Sequence, residues 1–443
     1  MHKTLWKSIG LLVFLLLLAF AGVKGFSFSR DRWVQSQYDA AKEALKHRHF
    51  AEAKAHLRIC LEQWPDNAEI HLLAARIERR AAVSSPLFTP LPPGWDREAF
   101  LELSKCRQLD PQSEAVKVEF GLQTALRSCP PELENYLLSL VVQKHPDAEQ
   151  ILETLARVNI DATQPYRALR CVTSLLEQDP DNTLALSWRG IIMDTLLRNT
   201  RKAMEDYRRV VELEPGQDEM RIRLATTLLQ LRKWDEAQPH FEMLYERLPN
   251  NEAVLMGLAR CRYNAGNADE AESLLDQLLK FMPRHGEALG ERGKMALEAG
   301  RPKEAEKWLR EAVAVAPLEI EGNFSLSRCL MQLGQQEESK KYRKVCDQIN
   351  ADASRMKVLA QLIRDAPDDP GLRCEAGILA IRHGREDIGL GWLTSALRID
   401  PQHPGARKAY ADFLARTGKP NTDDSFPGSG EDRDKSKDHR DQP

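Results

Sequence analysis

Apolar residues are distributed in three different ways along the chain. Ile9 to Val23 is an unbroken apolar run, residues 34 to about 417 interleave apolar with polar positions, and residues 418–443 carry almost no apolar side chain. The middle region is punctuated. Pro146, Pro180, Pro215, Pro249, Pro283 and Pro317 stand 34, 35, 34, 34 and 34 residues apart, and a fixed period of this length marks a repeat of one small supersecondary unit. Twelve residues before most of these prolines is an alanine (Ala168, Ala203, Ala237, Ala271, Ala305), and Ala53 and Ala99 stand in the same relation to Pro65 and Pro111. A small residue at a recurring place predicts close helix crossing there. Gly266, Gly300 and Gly334 again step by 34 and fall where a helix needs a left-handed C-terminal residue, which glycine adopts at least cost. The predicted unit is therefore helix, glycine turn, helix, proline stop.

Two short helices cannot bury their own apolar face, so each pair needs a neighbour on both sides, and a stack with a concave surface is expected. The pattern of small residue, alanine, aromatic or leucine, and proline in Trp234 to Pro249, Asn267 to Pro283 and Arg301 to Pro317 resembles the tetratricopeptide repeat (TPR). That resemblance implies an all-α fold, an α-α superhelix or TPR solenoid of about ten units, over residues 34–417; the apolar run before it is expected to form an N-terminal transmembrane or signal helix. It also implies a protein that binds other proteins or extended peptides in its groove. Two units depart from the pattern and are expected to pack less regularly: Glu134 replaces the alanine before Pro146, and after Pro317 come Ser339 and Ala351 in place of alanine and proline.

The count is irregular in two places. Pro65 and Pro111 are 46 apart, and the excess is the stretch Ser84 to Gly94, whose prolines forbid helix and predict an extended loop. Leu87, Phe88, Leu91 and Trp95 are expected to be exposed there, to contact a partner or lie on the stack, and deletion of residues 84–94 is expected to leave the thermal melt nearly unchanged while weakening partner capture. Gly334 and Gly384 are 50 apart, which predicts an extra helix near 354–366. Gly384 to Gly418 returns to 34, so residues 405–417 are expected to cap the stack, and the polar tail 418–443 to be disordered.

The N-terminal run changes the expected location. Lys3 and Lys7 precede it and Lys24, Arg30 and Arg32 follow; residues 1–24 read as a targeting segment, with 25–33 as a linker. Fifteen helical residues reach roughly 22 Å against a hydrocarbon core of about 30 Å, a gap that Leu5, Trp6 and a snorkelling Lys7 nearly close. An uncleaved single-pass anchor is expected, membrane contact being made by residues 9–23. The rival is a secreted or periplasmic protein cleaved near Ala21, where Ala19-Phe20-Ala21 offers a small-x-small site. With the short N-terminus inside, the repeats lie outside the cytoplasm.

Composition narrows the function further. The chain is 42% hydrophobic and 29% charged with a net charge of −3, without the basic excess that phosphate backbones require, so no nucleic-acid partner is expected. Eight cysteines (Cys60, Cys106, Cys129, Cys171, Cys261, Cys329, Cys346, Cys374) lie far apart with no CxxC pair, and read as inert buried thiols. Motifs for nucleophilic, zinc, phosphate and dinucleotide chemistry are absent; no cofactor, no metal, no small-molecule substrate and no enzymatic activity are expected. Gly286, Gly290 and Gly293 are ascribed to close packing, and His47, His49 and His56 to solvated side chains.

One charged series stands out. Arg260, Lys294 and Arg328 step by 34, with Arg157 at the equivalent place three units earlier. In proteins this chain resembles, that position lines the groove, and basic residues there bind carboxylates of extended peptides; the alternative is ordinary solvated charge. The expected function is a membrane-tethered scaffold or adaptor, with a regulatory or substrate-recruiting subunit of an envelope assembly or turnover complex as the alternative.

Overall fold

The computed structural model describes residues 30–87, 91–162, 164–366 and 368–417. The N-terminal apolar run and the polar tail lie outside them, as does Phe88. Among the described residues the secondary structure is helical throughout, with no strand, and no helix is long and apolar enough to cross a membrane. The residues fall into two compact units, 1–246 and 247–443.

Unit 1 contains α1 (30–46), α2 (Phe50–Gln63), α3 (Ala68–Val83), α4 (Trp95–Leu109), α5 (Glu114–Arg127), α6 (Pro131–Val142), α7 (Ala148–Asp161), α8 (Pro165–Gln178), α9 (Thr183–Ile191), α10 (Thr200–Leu213), α11 (Asp218–Gln230) and most of α12 (Trp234–Arg247). Unit 2 contains α13 (Glu252–Asn264), α14 (Ala268–Phe281), α15 (Gly286–Glu298), α16 (Pro302–Val315), α17 (Ile320–Gln332), α18 (Gln336–Asp365), α19 (Pro370–Arg382), α20 (Glu386–Ile399) and α21 (Pro404–Thr417). Odd-numbered helices are the first helix of each pair, and even-numbered ones the second.

The periodic residues do what their chemistry requires. All seven spaced alanines, from Ala53 to Ala305, are completely buried, because a larger side chain there would push apart helices that cross at this point. Gly293 faces the same crossing: a Cβ on it would lie 2.6 Å from Leu309. Gly290 has open space around it, so packing does not account for that glycine. After α13 the chain turns through Gly266 at φ +87°, and the amide of Asn267 donates back to the carbonyl of Arg262 (2.9 Å), closing the helix with a left-handed cap. Several helices restart on a capping side chain: the Asn251 side chain accepts from the amide of Val254 (3.2 Å), and Asp369 from Gly371 and Leu372 (2.8 and 3.1 Å).

The irregular units are accommodated locally. Ser339, standing where an alanine is expected, is buried and donates to the carbonyl of Ser327 (2.8 Å), while Ser327 donates back to the carbonyl of Ser339 (3.1 Å). The two hydroxyls thus satisfy each other's burial. Glu134 stays half-buried and pairs with Arg167 at 3.0 Å. The helical residues expected as a separate helix near 354–366 are instead the second half of α18, a continuous helix of 30 residues. No proline or glycine lies between Gln336 and Asp365 to break it. Its middle is pinned by buried Asp352, which accepts from Gln348 (2.8 Å), Arg382 (3.0 and 3.1 Å) and His383 (3.0 Å).

Candidate functional site on the first-helix face

In unit 1 the first helices α3, α5 and α7 pack on one another through charge. Helix α3 carries Arg76, Arg79 and Arg80 on the face turned toward α5 and α7. Arg79 is wholly buried and forks onto Glu119 (2.6 and 3.0 Å), with further bonds to Gln150 (2.7 Å) and Thr154 (3.1 Å). Arg76 reaches Asp147 at 2.6 Å, and buried Glu153 accepts from Arg48 and lies 3.5 Å from Arg80. Planar guanidinium forks suit such packing, since each can satisfy two acceptors at fixed geometry.

Arg157, expected to line a groove for partner peptides, belongs to this interior. Its side chain is 0% exposed and donates to Asp161 (2.7 Å), to the carbonyls of Val83 (3.2 Å), Ser85 (2.6 Å) and Pro86 (3.2 Å), and to the Ser85 hydroxyl (3.2 Å). It cannot reach a partner. The direct contact of α7 with α3 closes the face on itself. The same bonds tie down the proline-rich stretch: Ser84, which also accepts from Arg48 (3.1 Å), Ser85 and Pro86 are held to the core. Leu87, Leu91 and Trp95 are half-buried rather than exposed.

Unit 2 uses the same repeat position differently. Arg260 donates to Glu291 (2.8 and 2.9 Å) and Glu287 (2.6 Å) of the next first helix, and Lys294 lies 3.4 Å from Glu321 of the one after. Burial alone would push the Arg260 pKa down, but Glu291 and Glu287 outweigh it and hold the guanidinium more firmly protonated. Tyr263 adds a hydrogen bond to Glu298, and burial followed by that bond pushes its hydroxyl up to about 12. Sequence reasoning from the cations alone misses these carboxylates, although Glu287 and Glu321 repeat at 34 and stand 27 residues beyond Arg260 and Lys294.

The ladder ends at Arg328. Twenty-seven residues on from it is Arg355, another cation, already forked onto Glu375 (2.6 and 2.7 Å). Arg328 is exposed and, among the described residues, has no ion-pair partner. One helical turn before it the Phe324 ring lies half-buried under the guanidinium of Arg343, 5.5 Å from its centroid, and three residues after it Met331 is 52% exposed.

The cysteines and clustered histidines are local features. All eight cysteines are free, and burial pushes the Cys171 and Cys329 thiols up to about 11, which suppresses the reactive thiolate at neutral pH. His47, just after α1, faces Glu43 (2.9 Å) and His49, just before α2, faces Glu52 (3.3 Å), while His56 bonds to Gln37 (2.7 Å).

Two tetratricopeptide-repeat family models match the sequence, one over residues 38–81 and 262–320 and the other over 228–290. These segments are tetratricopeptide repeats. Among curated proteins no sequence matches the chain. Solved structures similar to it include YrrB, a TPR protein with an unusual peptide-binding site (18% identity, covering 42% of this chain and 94% of that one, TM-score 0.37). Others are PilW, a widely conserved type IV pilus biogenesis factor (20%, 49% and 94%, TM-score 0.39), and a tetratricopeptide repeat protein from Parabacteroides merdae (15%, 67% and 98%, TM-score 0.32).

Proposed function

We propose that the protein is a binding scaffold for other polypeptides, held at a membrane by residues 9–23, and that its first-helix face in unit 2 receives an extended acidic segment of a partner. The observation that carries this reading is Arg328, an exposed cation at the end of a ladder whose other members are already neutralised. A carboxylate arriving there meets an unengaged guanidinium that offers two parallel hydrogen bonds, beside the apolar surface of Phe324 and Met331. Arg260 and Lys294 would engage a partner only by releasing Glu287, Glu291 and Glu321, so they contribute little net binding. As a recruiting subunit of an envelope assembly or turnover complex, the narrower alternative, the protein would use the same contact.

The test is an array of extended peptides carrying one or two carboxylates beside an apolar residue, read against wild type, Arg328→Glu and Arg260→Glu at two salt concentrations. Arg328→Glu is expected to lose most binding and its salt dependence, at about 1 kcal/mol or more for a partly exposed charge-assisted pair, and Arg260→Glu to lose less. Equal binding by all three proteins rejects the Arg328 site. For the tether, protein recovered from salt-washed membranes should begin at Met1; an N-terminus near Gly22 rejects it.

A further inference from the structure

The second helix of each pair carries one residue that the repeat buries. At steps of 34, Tyr207, Phe241, Leu275 and Leu309 are each completely buried, and Leu309 fills the space over Gly293. The next step falls on Arg343 of α18, and it does not go inside. Its side chain is 61% exposed and turned over the Phe324 ring of α17, 5.5 Å from the centroid. A pair that gives up an apolar anchor gives up the burial that anchor supplies, so packing offers no reason for an arginine at this place.

Phe324 stands one helical turn before Arg328, and residues four apart on a helix are surface neighbours, so both guanidiniums stand beside one aromatic ring. Neither is committed. Arg328 has no ion-pair partner among the described residues, and the carboxylate of Asp347 lies 3.9 Å from Arg343, too long for a hydrogen bond, with both side chains largely in water. Of the nearby charges, Lys340 is taken by Glu337 (2.6 Å) and Glu321 by Lys294 (3.4 Å), while Lys344 beside Arg343 is exposed. The site therefore carries an excess of positive charge.

We propose that Arg343 is a second recognition residue of the face around Arg328, and that the partner segment received there carries two carboxylates with one residue between them. Resting on Arg328 as a partner contact, this names the chemistry of the segment. Alternate side chains of an extended segment project to the same side roughly 7 Å apart, so one carboxylate meets Arg328 and the other Arg343 while their methylene groups lie over Phe324. Each guanidinium can hold its carboxylate by two parallel hydrogen bonds.

The probes are short fluorescent peptides of glycine and serine with a central glutamate, serine, glutamate and a leucine after them, and the two versions in which one glutamate is glutamine. They are titrated into full-length wild type, Arg343→Leu, Arg343→Gln, Asp347→Asn and Arg328→Gln. Wild type should bind the diacid about fivefold more tightly than either single-acid peptide. Both Arg343 variants should lose that preference and keep single-acid binding nearly unchanged, and Asp347→Asn should sharpen the preference. Arg343→Leu, which restores the apolar residue of the repeat, should melt no lower than wild type, and Arg343→Gln keeps the test valid if it does. Arg328→Gln should weaken all three peptides. A wild type that binds all three alike, or an Arg343 variant that keeps the preference, overturns the proposal, and the Arg328 reading still stands if Arg328→Gln weakens binding. No binding by wild type, or no effect of Arg328→Gln, overturns both.

Discussion

The two units place arginines at matching repeat positions and give them opposite fates. In unit 1 Arg157 is sealed among the carbonyls of Val83, Ser85 and Pro86, while in unit 2 Arg260 lies at the surface against Glu287 and Glu291, and Arg328 has no ion-pair partner among the described residues. A charge buried among fixed acceptors holds helices together, and its loss leaves those acceptors unsatisfied. A half-exposed charge screened by water contributes little to folding and remains available for exchange. Repeat position alone therefore does not identify a binding residue; the surroundings decide.

The largest expected effect tests that contrast directly. Arg157→Ala should destabilise unit 1 by about 3 kcal/mol, because it empties a fully buried site and removes the donor to the buried Val83 carbonyl and to the part-buried acceptors of Ser85 and Pro86, whereas Arg260→Ala should cost under about 1 kcal/mol. Amide hydrogen exchange in α3 and α7 reads the first and in α13 and α15 the second; similar losses would erase the distinction. Deleting residues 84–94 should act in the same direction as Arg157→Ala, in contrast to the neutral deletion expected of a free loop.

Acid should loosen unit 2 at an identifiable place. Burial pushes the Asp352 carboxyl up, but hydrogen bonds from Arg382, Gln348 and His383 outweigh it and hold the group below its ordinary value. A carboxyl depressed on folding contributes stability that is present above its unfolded pKa, about 3.9, and is lost as pH falls through the lower folded value. The α18–α19 contact should therefore weaken below about pH 4, and Asp352→Asn should weaken it at neutral pH while flattening that acid response. An unchanged acid profile in the variant would remove Asp352 from the linkage.

The smallest effect concerns the turns. Unit 2 uses Gly266, Gly300, Gly334 and Gly384 at positive φ, while in unit 1 Arg48, Arg198 and Arg232 take φ of 56° to 60°. A side chain in that region costs roughly 1 kcal/mol, so Arg232→Gly should raise stability by about 0.5 to 1 kcal/mol after the added chain entropy. Arg48→Gly should lower it instead, because Arg48 also holds Ser84 and Glu153. Denaturant midpoints of both variants check the opposite signs.

Much of the repeat is legible in the amino-acid sequence. Proline spacing, the buried alanines and the unit 2 glycines are constraints that act within one helix pair, so a single period of sequence carries each of them. The partners of the basic stripe are partly legible too, since Glu287 and Glu321 share its period. The fate of Arg157 is not, because it depends on contacts 71 to 74 residues away. Continuity of α18 follows from missing breakers, but a 50-residue glycine spacing fits one long helix as well as two.

What the sequence by itself determined is the helix pair, its period and the residues that cross closely, because propensity, caps and small side chains act locally and repeat with the chain. Only the tertiary structure decided which charges became core and which stayed at the surface. Direct packing of α3 on α7 encloses the arginines of unit 1 among acceptors from distant segments. In unit 2 the step to the next first helix brings glutamates to Arg260 and Lys294, and stops before supplying one to Arg328.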